Sequence, residues 1–147
     1  ARTLLVLAAL HHDRFNSLIV AGVGRNLFER DATGDSIASA IDGSGDADDP
    51  IVRYFVQLAE APDQDPKALA AFMRRSNGIM ITPELLHTVT CPVLVVLGDK
   101  DFAGPADPLL DALPNARLVT LRNVDHFATP KDFGFIDAAL EFLSSSH

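Results

Sequence analysis

"CPVLVVLGDKD", residues 91–101, opens on a cysteine and a proline, runs through the aliphatic stretch Val93 to Leu97, and closes on a glycine and a cluster of charge. A run this short and apolar at every position has no polar face to offer to water. It reads as a strand buried on both sides, as in a parallel sheet covered by helices. The design recurs twice. "NSLIVAGVG" (16–24) is an apolar run closed by Gly22 and Gly24, and "ARLVTLRNVDHF" (116–127) repeats the pattern with more polar residues admitted. Helical segments intervene or follow: "PADPLLDALPN" (105–115) between the last two strands, and "PKDFGFIDAALEFL" (130–143) after the third. In the latter, Phe133, Ile136, Leu140 and Leu143 recur at three- and four-residue steps and predict one apolar stripe laid on the sheet. Strands alternating with helices predict an α/β class, here a partial doubly wound parallel sheet of about three strands.

Two stretches lie outside that rhythm. "ARTLLVLAALHHDR" (1–14) places Arg2 before an apolar run. No small-residue cleavage site follows, and the run is far short of the ~20 residues of a membrane span, so it reads as a buried helix ending near "HHDRF". Residues 25–86 read as a helical insertion that can act as a lid. It begins with the acidic segment "RDATGDSIASAIDGSGDADDP" (30–50), whose Gly, Ser and Asp content predicts a mobile loop with at most a short helix. Two amphipathic helices follow, "PIVRYFVQLAEA" (50–61) and "DPKALAAFMRRSN" (65–77), each with a proline near its first turn. The remainder, 1–24 and 87–147, forms the core.

Composition bounds the partners. The chain has 147 residues, 48% of them hydrophobic, enough for a real core, and 20 acidic residues against 12 basic ones give a net charge of −8. A nucleic-acid surface needs clustered Lys and Arg, so nucleic acid and anionic membrane are not expected partners. The single cysteine, Cys91, excludes an intrachain disulfide and a Cys-based zinc site, which fits a reducing, cytoplasmic compartment.

Chemistry in an open parallel sheet gathers beyond the carboxyl ends of the strands. Asp101 follows the second strand and His126 the third, so adjacent strands bring their loops together. A carboxylate facing an imidazole fixes its tautomer and readies the other ring nitrogen as a general base. The pair is two thirds of a triad that lacks its nucleophile. Asp99 competes for the acid role from the same turn, and Asp125, whose neighbour in sequence seldom points the same way, is read as structural or as acting behind the residues that touch the substrate. Phe102 and Phe127 flank the two candidates and are taken as substrate-binding residues of an apolar pocket. Cys91 precedes its strand and so lies at the far end of the sheet from Asp101, as a buried structural thiol. His11 and His12 complement the carbonyl end of the first helix; no metal site and no cofactor is expected.

Over "CPVLVVLGDKD" and "NVDHFATP" (123–130) the sequence resembles the α/β-hydrolase fold family. The resemblance implies that these stretches are strand seven with its acid turn and the histidine loop after strand eight, and that "NSLIVAGVG" is strand six. The insertion is then the cap, and "ARTLLVLAAL" the helix after the nucleophile elbow. The family orders its triad nucleophile, acid, histidine, and Asp101 before His126 obeys that order. Its Gly-x-Ser-x-Gly elbow does not occur here; "DGSGD" around Ser44 lacks the first glycine and has no strand before it. The resemblance therefore places the nucleophile ahead of Ala1, in another stretch of protein. The implied activity is esterase-like hydrolysis of a small apolar substrate, with this chain alone inactive. The implied partner is the missing amino-terminal half or a second copy of the chain, a homo-oligomer, because the edge of "NSLIVAGVG" would otherwise stay unpaired. The competing reading is a non-catalytic α/β interaction module or a pseudoenzyme half.

Overall fold

A computed structural model of the chain describes residues 1–29, 33–74 and 79–145. The chain divides into two compact units, one of Ala1–Glu29 with Ile79–His147 and one of Arg30–Gly78. The flanks 25–29 and 79–86, drawn with the insertion from sequence, belong to the first unit. There Pro83–Leu86 forms a short helix, α5, on the first helix, α1 (Arg2–Leu10), and the Thr88 hydroxyl donates to Ala9 O at 3.1 Å.

The first unit is built on a sheet of three parallel strands, β1 (Leu18–Ala21), β2 (Val93–Gly98) and β3 (Ala116–Leu121), in the order β1-β2-β3. Register aligns Val20 with Val95 and Val95 with Leu118. Every residue of β2 is buried, as its uninterrupted apolar run demands. Alternation then sorts the side chains to two faces. Leu18, Val20, Val93 and Val95 pack with Leu5, Ala8 and Ala9 of α1 and with Leu109 and Ala112 of α6 (Asp107–Ala112). Leu94, Val96 and Leu121 pack with Ala138 and Phe142 of α7 (Phe133–Ser145). Helices thus cover both faces of a parallel sheet.

Two helices differ from their sequence reading. On α1 only one side is buried, while Leu4, Leu7 and Leu10 stand 44, 40 and 50% exposed. On α7 the predicted stripe of Phe133, Ile136, Leu140 and Leu143 is the exposed side, and Phe135, Ala138 and Phe142 meet the sheet instead. The segment is apolar around most of its circumference, so periodicity alone does not say which face the sheet takes.

The second unit packs α2 (Thr33–Ile41) against α3 (Pro50–Ala59) and α4 (Pro66–Arg74). Sequence favours a loop over most of α2; a nine-residue helix forms because Ile37 and Ala38 are buried in the unit. The Asp49 carboxylate caps α3 by accepting from the N–H groups of Ile51 (2.7 Å) and Val52 (3.3 Å), next to a proline that needs no such partner. Asp65 does the same for Lys67 and Ala68 ahead of α4. The expected continuation of α4 to residue 77 lies outside the described residues.

Candidate active site

Each strand of the sheet delivers one component at its carboxyl end. Beyond β2 the chain turns tightly: Asp101 N–H donates to Gly98 O at 3.1 Å and Gly104 N–H to Asp101 O at 3.2 Å. The turn leaves the Asp101 side chain with 0% exposure, so its oxygens need partners. Oδ1 accepts from Ala103 N–H at 2.9 Å, and Oδ1 and Oδ2 lie 3.0 and 3.1 Å from His126 Nδ1. An ionised carboxylate has no proton to give, so Nδ1 is the nitrogen that carries hydrogen, and in the neutral imidazole Nε2 is the acceptor. The His126 side chain is 32% exposed.

The loop that carries His126 is held from both directions. Asn123, with φ of 59°, adopts the left-handed conformation that Asn tolerates, and its N–H donates to Asp99 Oδ1 at 2.7 Å. Asp99 N–H donates to Leu121 O and Lys100 N–H to Val124 O, at 2.9 and 3.1 Å. The acid turn and the histidine loop therefore cross in contact, and a Cβ at Gly98 would run into the Val124 carbonyl. After the histidine, the Asp125 carboxylate accepts from Phe127 N–H (3.0 Å) and Ala128 N–H (2.9 Å). The buried Thr129 hydroxyl closes the loop onto Asp125 O at 2.8 Å.

Beyond β1, Gly22 N–H donates to Val96 O, and its φ of +66° is one that side-chain-bearing residues rarely adopt. A Cβ there would stand 2.9 Å from His126 Cε1 and 3.1 Å from Nδ1. The imidazole occupies the space left by a missing methyl. Two rings surround it further: Phe102 at 4.5 Å between centroids and a 32° tilt, and Phe127 at 5.6 Å and 84°.

Of the sequence candidates, Asp101, His126, Phe102 and Phe127 are brought together. Asp99 is not beside the imidazole; its carboxylate is bound to Asn123. Asp125 binds the backbone of its own loop. Cys91 precedes β2 whereas Asp101 follows it, about 20 Å away at the usual rise of an extended strand, and burial pushes its thiol pKa up. His11 and His12 are exposed where α1 ends. Ser44 lies in the turn after α2, its hydroxyl on Ser39 O at 3.3 Å. Among the described residues no group of three His, Cys, Asp or Glu side chains could hold a metal ion, and no helix is long and apolar enough to cross a membrane. Sequence reasoning missed Gly22, which marks only a strand end until the tertiary contact is known, and the clamp from Asp99 to Asn123. An asparagine just past an apolar run is the one local signal of that turn.

No family model matches the chain, and no curated sequence does so significantly. Solved structures do. A Mycobacterium tuberculosis H37Rv protein assigned as a non-heme bromoperoxidase is similar over 99% of this chain and 64% of its own, at 14% identity and a TM-score of 0.72. A thermophilic esterase from Thermogutta terrifontis matches over 99 and 62%, at 18% identity and a TM-score of 0.66. A serine hydrolase involved in carbazole degradation matches over 97 and 59%, at 26% identity and a TM-score of 0.62. The chain has the α/β-hydrolase fold, with a partial sheet, and spans roughly 60% of the length of these structures.

Proposed function

We propose that the chain is the carboxyl-terminal part of an α/β-fold hydrolase that cleaves an ester or similar small apolar substrate. The triad consists of Asp101, His126 and a nucleophile outside this sequence. The observation that carries this reading is the bond of 3.0 Å between His126 Nδ1 and the fully shielded Asp101 carboxylate. Burying a carboxylate is costly unless it is paired, and an ordinary surface histidine needs no such partner. His126 Nε2 takes the proton of a hydroxyl or thiol nucleophile as it attacks the carbonyl carbon, and then gives that proton to the departing alkoxide. Asp101 holds the tautomer and stabilises the imidazolium between the two transfers. Backbone N–H groups that stabilise the oxyanion belong to the same outside segment.

That segment also supplies the partner. β1 and β3 end the sheet, and the outer edge of β1 is where we place it. A second copy of the chain is the competing occupant, and light scattering with intact mass spectrometry separates the two.

The test is hydrolysis of a short-chain aryl ester by the nucleophile-bearing full-length protein. His126→Ala lowers kcat/KM at least about a thousandfold, and adding Asp101→Ala costs little more because the two residues act as a unit. Turnover by the 147-residue chain alone, lost in His126→Ala, would place the nucleophile within it. Full-length activity indifferent to His126→Ala would remove the triad.

A further inference from the structure

Phe102 stands one residue beyond Asp101. Adjacent side chains ordinarily diverge, but here both reach the same imidazole, because the turn closed by Ala103 N–H on Asp101 Oδ1 folds the chain back on itself. The carboxylate holds the ring at Nδ1, while the Phe102 ring lies against it, tilted by 32° with 4.5 Å between centroids. Small coupled rotations about Cα–Cβ and Cβ–Cγ let the imidazole rock while Nδ1 stays within reach of the carboxylate. That rocking swings Nε2, the atom that must meet the nucleophile, and a flat ring against the imidazole stops it on that side. Gly22 leaves room for Cε1 and Nδ1 where a Cβ would stand, and Phe127 meets the imidazole edge-on. The Phe102 side chain is not there to fill the core, since the residue is 46% exposed.

We infer that Phe102 is a positioning residue for His126: its ring holds the imidazole in the orientation that directs Nε2 to the nucleophile. This rests on the triad reading of His126 and reassigns Phe102 from the substrate pocket to the base. The two roles differ in kinetics. A ring that only lines the pocket changes KM when truncated, whereas one that aims the base changes kcat with KM nearly constant.

The experiment compares Phe102→Ala, Phe102→Leu and Phe102→Tyr in the nucleophile-bearing full-length protein, with imidazole NMR on the same samples. Phe102→Ala is expected to lower kcat about tenfold, in keeping with the strength of an aromatic pair, with KM within about twofold. The Nδ1–H proton of His126 should exchange with solvent at least about tenfold faster, or both tautomers should appear. Phe102→Tyr keeps the flat ring and restores kcat and the single Nδ1–H tautomer; Phe102→Leu keeps bulk without the ring face and falls between. A Phe102→Ala protein with wild-type kcat, raised KM and unchanged Nδ1–H exchange overturns the inference while leaving the triad standing. Wild-type activity that survives His126→Ala overturns the triad reading itself, and is visible separately.

Discussion

Replacing Gly22 by alanine adds one methyl group and tests the site's geometry most directly. Two costs follow. The backbone holds φ of +66°, which an alanine occupies at roughly 1–2 kcal/mol. The new Cβ would also stand 2.9 Å from His126 Cε1 and 3.7 Å from Asp101 Oδ2. Comfortable carbon contacts begin near 3.5 Å, so the imidazole must withdraw by about 0.6 Å. A retreat of that size along the bond takes Nδ1···Oδ1 from 3.0 Å to roughly 3.6 Å, beyond hydrogen-bonding range. A charge-assisted bond lost in a shielded place adds roughly 1.5–3 kcal/mol, for a total of roughly 2.5–5 kcal/mol. Gly43→Ala is the control: its φ is +76°, yet nothing lies within 4 Å of the added Cβ, so it carries the backbone cost alone. Urea titrations followed by circular dichroism should rank Gly22→Ala well below Gly43→Ala, and only the former should move the His126 imidazole resonances. In the nucleophile-bearing protein, kcat should drop about a hundredfold, the scale of an ångström-size misplacement. Equal stabilities together with unmoved imidazole resonances would refute the close approach.

Asp101→Ala leaves Ala103 N–H and His126 Nδ1–H without their shielded acceptor and should cost roughly 2–3 kcal/mol by denaturant titration. Asp125→Ala frees the two N–H groups of residues 127 and 128; a loss of about 1 kcal/mol, the usual cost of a missing cap, is expected with a modest fall in kcat. Cys91, buried and with its thiol pKa raised, should react with Ellman's reagent at pH 8 at least about tenfold more slowly in the folded chain than in urea, since the thiolate is the reactive form. Leu140 is 62% exposed on α7, so Leu140→Asp should leave the chain's own stability within about 0.5 kcal/mol; if the proposed amino-terminal segment covers this face, the same change weakens its association, read by titration of one purified half into the other.

The sheet was legible because its signal is local. Val93 to Leu97 admit no polar residue, and a strand so written has to be central. The pairing of Asp101 with His126 was legible for a reason one level higher: each follows a strand, the strands are neighbours, and parallel neighbours place their loops side by side. Choosing Asp101 over Asp99 is a matter of turn geometry. Both carboxylates follow β2, and the turn sends one to an imidazole and the other to the N–H of Asn123. Gly22 was invisible as a site residue, because a glycine after an apolar run states only that a strand stops. Its function resides in an atom it lacks and in a ring that comes from 104 residues further along the chain. Helix α2 is the short helix that the composition of the acidic stretch allows at most. Gly34, Asp35 and Ser36 are poor helix formers, and burial of Ile37 and Ala38 outweighs them.

Helix α7 shows where periodicity stops being informative. Phe133, Ile136, Leu140 and Leu143 form one stripe, and Phe135, Ala138 and Phe142 form another. A helix apolar on two sides is ordinarily covered on two sides. The sheet takes the stripe that includes the small Ala138, which allows close approach, and on the bulkier stripe Phe133 and Leu140 stay 80 and 62% exposed. α1 repeats the pattern, with Leu5, Ala8 and Ala9 on the sheet and Leu4, Leu7 and Leu10 open. One open helix face is common on a soluble domain; two, together with a free edge of β1, are more than scattered surface leucines account for. The chain spans only roughly 60% of the structures it resembles, and under the proposed function Asp101 and His126 call for a nucleophile from elsewhere. An amino-terminal segment that adds a strand to β1, covers these leucines and presents the nucleophile to Nε2 answers the packing and the chemistry at once, whereas a second copy of this chain answers the packing alone.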